Sequence, residues 1–269
     1  MSDARPVTLI TGASAGIGAA LARVFAAHGH ELVLIARREQ ALAALAAEVA
    51  AGGRPWPTVL ALDLARAEAV AEIARALAER NLEPEYVVNN AGFGLLGSAA
   101  RLDRAEQLMM IDVNTRALVD LSLAFVDSLA RHQGGILNVA SVAGFLPGPG
   151  MAVYYASKAF VLSFSEALHE ELARRGVRVT VLCPGPVPTE FQARAGVPPT
   201  YHPVLLGRSA ESVAEEGYRG LMRGRPRVVP GFANKLVTFV PRLMPRSWMA
   251  KLVGMSQANR FGSRPAGRS

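Results

Sequence analysis

The stretch Val7-Thr8-Leu9-Ile10-Thr11-Gly12-Ala13-Ser14-Ala15-Gly16-Ile17-Gly18 changes character at its middle, and that change decides the fold. Val7 to Thr11 is an apolar, β-branched run of the kind that fills a buried strand; glycines then break it, and an alanine-rich helical stretch runs on to His28. Glu31 to Ala36 reads as a second buried strand, and a helix from about Glu39 to Ala51 stops at Gly52-Gly53. Strand, helix, strand in this order predicts parallel pairing, because the helix must carry the chain back across the sheet. The alternation continues with strands at Thr58 to Leu62, Tyr86 to Asn89, Gly135 to Ala140 and Val177 to Leu182. Between them lie helices at Ala65 to Arg80, Asp103 to Arg131 and Ala152 to Arg175. A helix near Ala210 to Arg223 and a last strand at Arg227 to Val229 complete the pattern. Strands so spaced predict an α/β chain with a doubly wound, parallel seven-stranded sheet and helices on both faces.

At 269 residues and 51% hydrophobic content the chain buries a large core, and a Rossmann-like sheet of this size forms one domain. A net charge of +7 and a pI near 10.2 raise nucleic acid as a partner. The 29 lysines and arginines form no run interleaved with stacking aromatics, so no nucleic-acid binding is expected. The single cysteine, Cys183, has no internal disulfide partner, and Met1 to Pro6 is too short and polar for a signal peptide; a cytoplasmic location is expected. No run of apolar residues is long enough to span a bilayer, and no cluster has metal-ligand spacing.

Glycines 12, 16 and 18 lie where a strand turns into a helix, the place where backbone approaches a pyrophosphate closely and offers amides at a positive helix end. Their spacing differs from the commonest Gly-x-Gly-x-x-Gly fingerprint, so alone the cluster also fits a structural turn. The end of the second strand sharpens the reading. Folds that prefer NAD place an acid there for the ribose 2′-hydroxyl, whereas this strand ends Ile35-Ala36-Arg37-Arg38. With no carboxylate to repel a 2′-phosphate and two arginines to welcome it, Arg37 foremost, NADP is expected over NAD; the start of a solvated helix is the other reading of both, and weighs more for Arg38. Further on, Ser141 ends a strand, Tyr154 follows it by 13 residues, and Lys158 stands four beyond on the same helical face. An ammonium so placed should draw the phenol's pKa from about 10 towards neutrality, making Tyr154 a general acid/base with Ser141 sharing its reacting oxygen.

Thr11-Gly12-x-x-x-Gly16-x-Gly18, Asn89-Asn90-Ala91-Gly92, Asn114, Ser141, Tyr154-x-x-x-Lys158 and Pro184-Gly185 occur in that order between Val7 and Thr189. In these motifs the chain resembles the short-chain dehydrogenase/reductase family. The resemblance implies an oxidoreductase using NADP; residues 1–231 are expected to form the dinucleotide-binding and catalytic domain, with 232–269 as an extension of that domain. It implies a pyrophosphate cradled by Gly12, Ser14, Gly16, Ile17 and Gly18, and adenine flanked by Asp63 and Leu64. Asn90, Ala91 and Gly92 would close the ribose side, and Pro184, Gly185, Val187 and Thr189 would hold the carboxamide. Tyr154 would give its proton to a carbonyl oxygen that Ser141 polarises, while Lys158 lowers the Tyr154 pKa and bonds the ribose. Asn114 would hold a water linking Lys158 to solvent. Many NADP-using relatives carry a basic residue where this chain has Ala15, which leaves more of the discrimination to Arg37. The family also implies a homodimer or homotetramer, paired through the helices at 103–131 and 152–175.

Substrate selection is expected in two apolar, proline-rich loops, Gly144 to Met151 and Glu190 to Gly207. Phe145, Leu146, Met151, Phe191, Val197, Val204 and Leu205 suit an apolar ketone, aldehyde or acyl-type carbonyl, or the matching alcohol. The tail from Phe232 to Phe261 sets apolar residues among Lys235, Arg242, Arg246 and Lys251, split by Pro241 and Pro245. A lid, a subunit contact and peripheral docking on an anionic membrane all fit it. Tyr155 reads as packing, Asp112 as a solvated face and His169 as a surface or interface residue. The rival function is an NADP-binding redox sensor without turnover, which the joint presence of Asn114, Ser141, Tyr154 and Lys158 disfavours.

Overall fold

The computed structural model describes residues 4–197, 207–239 and 245–261; the expectations on Val204, Leu205, Pro241 and the last eight residues lie outside them. Seven parallel strands form one sheet: β1 (Arg5–Thr11), β2 (Leu32–Ala36), β3 (Thr58–Ala61), β4 (Leu82–Asn89), β5 (Gly135–Val139), β6 (Arg178–Leu182) and β7 (Arg227–Val228). Their spatial order is β3-β2-β1-β4-β5-β6-β7, so the winding reverses between β1 and β4 and opens a crevice at the carboxyl ends of the strands. β4 begins four residues before the expected Tyr86. Its Pro84 has no N–H to give to a ladder, and the β1–β4 register shifts there, between Val7 and Thr8.

The helices are α1 (Gly16–Ala27), α2 (Glu39–Ala51), α3 (Ala69–Ala78), α4 (Arg104–Ile111), α5 (Ala117–Ala124), α6 (Val126–Arg131), α7 (Ala152–Ala173), α8 (Glu190–Ala195), α9 (Ala210–Met222), α10 (Phe232–Phe239) and α11 (Arg246–Phe261). Because successive strand residues point to opposite faces, Leu9 and Ile10 belong to different cores. Ile10 and Leu34 pack with Phe25 of α1, Leu42 of α2 and Leu221 of α9. Leu9, Val33 and Val87 pack with Ile73 of α3, Leu121 of α5 and Leu168 of α7. His169, next to Leu168, is half-buried: its Nδ1 lies 2.7 Å from the Val179 carbonyl oxygen and ties α7 to β6.

The expected single helix from Asp103 to Arg131 is instead three. Asp103 caps α4 by accepting a hydrogen bond from Glu106 N at 2.8 Å, and a π-helical turn, Asp112–Arg116, separates α4 from α5. Asp112 pairs with Arg116 at 2.9 Å on its outer side.

Candidate active site

Thr11 ends β1 in mid-sheet and staples the glycine turn to β4. Its Oγ1 donates to Val88 O at 3.2 Å and accepts from Asn90 N and Ala91 N, each at 3.0 Å. Asn90 Nδ2 answers by donating to Thr11 O at 2.9 Å and Gly12 O at 3.2 Å. Gly12 has φ +65°, and a Cβ there would meet Ala91 Cα at 2.9 Å. At Gly18 a Cβ would overlap the Gly12 carbonyl and the Asn90 amide. Gly18 does not line the cavity, contrary to expectation: it is the point where α1 packs on the turn. The start of α1 has no side-chain cap and no acid in its first turn, so its amides face the crevice free of a competing acceptor. Gly12, Ser14, Gly16 and Ile17 line the cavity around those amides, a cradle that fits a pyrophosphate.

Asp63 and Leu64 line the same cavity, with Asp63 Oδ1 accepting from Ala65 N at 3.0 Å to fix their turn. The two arginines differ. Arg38 is not simply solvated: its guanidinium donates to Ser14 Oγ at 3.2 Å and pairs with Glu190 Oε2 at 2.8 Å. Arg37 also lines the cavity but makes no hydrogen bond or ion pair with a described residue, which leaves it available to an anion.

At the other end, β5 delivers Ser141 beside α7. Ser141 Oγ accepts from Ala143 N at 3.1 Å and hydrogen-bonds the Tyr154 phenol; its contact with Pro184 O is a long 3.5 Å. Lys158 Nζ donates to Val139 O at 2.8 Å and lies 5.9 Å from the centre of the Tyr154 ring. One of the amine's three donors is therefore committed to β5. Burial pushes the Tyr154 pKa up to about 12, against the hydrogen bond from Ser141, and pushes Lys158 down to about 8. This corrects the expectation of a tyrosine drawn towards neutrality: removing water from the phenolate raises the pKa by more than the Ser141 hydrogen bond lowers it.

Asn114 is fully buried in the π-helical turn and does not line the cavity. Its Oδ1 accepts from Phe93 N, and its Nδ2 donates to Phe93 O and Ser157 Oγ, all at 3.0 Å. Ser157 Oγ in turn donates to Tyr154 O at 2.7 Å. The Asn114 side-chain amide thus clamps Phe93 to α7. A Cβ on Gly92 would lie 3.0 Å from Asn114 Oδ1 and 3.5 Å from Lys158 Nζ, so its absence lets both approach. Ser157 is a positioning residue that sequence reading passed over; its signal was the three-residue offset from Tyr154.

A single cavity of about 1000 Å³ joins these two ends. Asn90, Ala91 and Gly92 lie on its wall, as do Pro184, Gly185, Val187 and Thr189, with Thr189 against Gly16. Leu146, Met151, Phe191 and Val197 line its apolar end, where the Phe191 ring is centred 5.4 Å from that of Tyr154. Phe145 is not among them: it packs in another cluster, with the Arg227 guanidinium 5.6 Å from its ring. Tyr155 lines the cavity and also packs where Gly148 leaves room for its ring. Arg194, missed in the sequence, stands 4.1 Å from the Phe93 ring, its pKa lowered by burial and by Arg37. The tail lines the cavity with Leu236, Val237, Met249, Leu252 and Val253, anchored by buried Asn234 in the space that Gly185 leaves open. Among the described residues no group of His, Cys, Asp and Glu could hold a metal, and no helix is long and apolar enough to cross a membrane.

The family model of the short chain dehydrogenases matches residues 6–197. The chain belongs to the short-chain dehydrogenase/reductase family. This short-chain dehydrogenase is 42% identical over 194 residues to sulfoacetaldehyde reductase 2 of Chromohalobacter salexigens, covering 71% of this chain and 75% of that one. Among solved structures it resembles a short-chain dehydrogenase from Sphingobium yanoikuyae in complex with NADPH, at 32% identity and TM-score 0.76 over 98% of both chains. The bulky-bulky ketone specific alcohol dehydrogenase from Comamonas testosteroni is also similar, at 28% identity and TM-score 0.74, covering 98% of this chain and 97% of that one. The family places the chain among the oxidoreductases.

Proposed function

We propose that this short-chain dehydrogenase transfers a hydride between NADP(H) and an apolar ketone or aldehyde, or the corresponding secondary alcohol, with Tyr154 as general acid/base. The observation that carries the reading is the Tyr154 hydroxyl, bonded to Ser141, where the uncapped cradle and the apolar wall meet in one cavity. Bound nicotinamide would supply or take the hydride. Ser141 offers its hydroxyl to the reacting oxygen, and Tyr154, protonated at neutral pH with a pKa near 12, donates to that oxygen during reduction. Lys158, with a pKa near 8, holds a positive charge one helical turn away, where it favours the phenolate as it forms. Arg37 would bind the 2′-phosphate, and the unengaged guanidinium favours NADP over NAD; the NADPH bound by the Sphingobium relative agrees.

The apolar wall supports a bulky carbonyl, as does the ketone specificity in the name of the Comamonas relative. A second reading, a small anionic aldehyde, has the sulfoacetaldehyde reductase likeness and the cavity-lining Arg194 in its favour. A panel of apolar ketones and sulfoacetaldehyde, followed by loss of NADPH absorbance, separates them. The proposal expects higher kcat/KM for the apolar ketones; preference for sulfoacetaldehyde transfers the enzyme to the anionic class. Tight NADPH binding with no turnover of any carbonyl would favour the redox-sensor alternative. Exposed Leu108, Ile111, Leu123 and Phe160, on α4, α5 and α7, support a homo-oligomer formed through those helices.

A further inference from the structure

The net charge of +7 is local. Residues 232–269 contain seven lysines and arginines and no aspartate or glutamate, which leaves the preceding 231 residues balanced at 22 basic and 22 acidic. The same segment carries the densest set of exposed large apolar side chains among the described residues. Phe232 is 84% and Trp248 62% exposed, with Leu236, Phe239, Leu252 and Met255 exposed beside them. The opposite sides of α10 and α11 line the cavity through Val237, Met249 and Val253, while Leu236 and Leu252 both line it and reach the surface. The two helices are therefore a wall with two apolar faces, one turned to the cavity and one bare.

We propose that this outer face docks on an anionic lipid bilayer, lying on it with the cavity mouth towards the lipid. Charge complementarity selects the occupant. Exposed apolar side chains with exposed Lys235 and Lys251 beside them, in a segment without an acid, match a surface that takes the former into its acyl boundary and attracts the latter at about 1 kcal/mol each. A second copy meeting the same face about a two-fold axis would set Lys235 and Lys251 against their own counterparts, with no acid in either segment to pair them. Neither α10 nor α11 is long and apolar enough to cross a membrane, so the contact is peripheral. The docking stands independently of the catalytic proposal. Joined to it, the geometry gives an apolar carbonyl a path from bilayer to Tyr154 past Leu236 and Leu252.

The test uses the full chain carrying Trp56→Phe, so that Trp248 is the sole tryptophan reporter. It is mixed with vesicles of phosphatidylcholine alone or with about one-third phosphatidylglycerol. Expected are co-sedimentation with the anionic vesicles and a blue shift of Trp248 emission, both weakened at least about tenfold by neutral lipid or high salt. The double variant Lys235→Glu/Lys251→Glu, neither of which lines the cavity, should bind at least about tenfold more weakly while melting like its parent. The proposal is overturned by absence of vesicle binding, by equal binding to both vesicles, or by charge-reversed protein binding as well as its parent. A concentration-dependent dimer that shifts Trp248 emission without lipid also overturns it, giving the face to a second copy. The ketone panel reads the catalytic proposal separately, so either can fail alone.

Discussion

Tyr154 and Lys158 are both buried, and neither has its ordinary proton affinity. The four-residue spacing shows that the two share a face; it says nothing of water lost around each, and that loss sets both shifts. A lysine whose folded pKa is about 8, against 10.5 unfolded, charges the fold for its own burial. Below pH 8 both states hold the proton and the burden is complete; between pH 8 and 10.5 the unfolded chain holds more protons, so stability rises with pH. Lys158→Met should therefore stabilise the cofactor-free protein at pH 7 by about 1–3 kcal/mol, an advantage that shrinks towards pH 10.5. Urea unfolding at pH 7 and pH 10 reads this; a variant less stable at both would contradict it. Arg37 and Arg38 look alike in sequence and differ in the fold because only Arg38 meets Ser14 and Glu190. Arg37→Asp should weaken NADPH binding by about 10²-fold or more and NADH by much less, since it removes a charge-assisted contact and adds a repulsion. Equal losses in both affinities by titration calorimetry would remove the 2′-phosphate from Arg37.

Most helix and strand positions up to β6 were readable because each is a local pattern: buried β-branched runs, alanine-rich amphipathic stretches, and Gly52-Gly53 at a stop. The π-helical turn was not, because what holds it is distant in sequence. Asn114 reaches its partners at Phe93 and Ser157, 21 and 43 residues away, and the widened turn is what lets its side chain enter. The short α8 was hidden for the same reason: Glu190, Phe191 and Arg194 find their partners in Arg38, Tyr154 and Phe93. Asn114→Ala should orphan the buried Phe93 amide and destabilise the protein by about 2–4 kcal/mol. Turnover should fall as well, as α7 loses its tie to the Gly92 loop. A stability loss under about 0.5 kcal/mol by denaturant titration would mean that the clamp carries little.

At the scale of the molecule, the doubly wound parallel sheet followed from the alternation of elements, and a lid was one of three roles open to the tail; that α8, α10 and α11 line one cavity together was not legible, since no local pattern records what a helix will cover. A second long-range cluster joins the end of α1, β4 and α9: His30 packs edge-on to Phe25, Tyr86 and Tyr218, and burial lowers its pKa to about 4. Between pH 6.5 and 4 the unfolded chain takes up a proton that the folded one refuses, so stability falls as pH falls through that window. Partial exposure reduces the effect to about 1–2 kcal/mol, and His30→Gln should flatten the slope of melting temperature between pH 6.5 and 4. An unchanged slope would place the acid sensitivity elsewhere. The account as a whole rests on one hydroxyl at the meeting point of cradle and apolar wall. Single-turnover reduction of the best carbonyl by NADPH, with Tyr154→Phe beside the parent, tests it most directly. NADPH binding should stay within about threefold while the hydride-transfer rate falls by about 10²–10⁴-fold; a rate within a few fold of the parent would contradict the assignment.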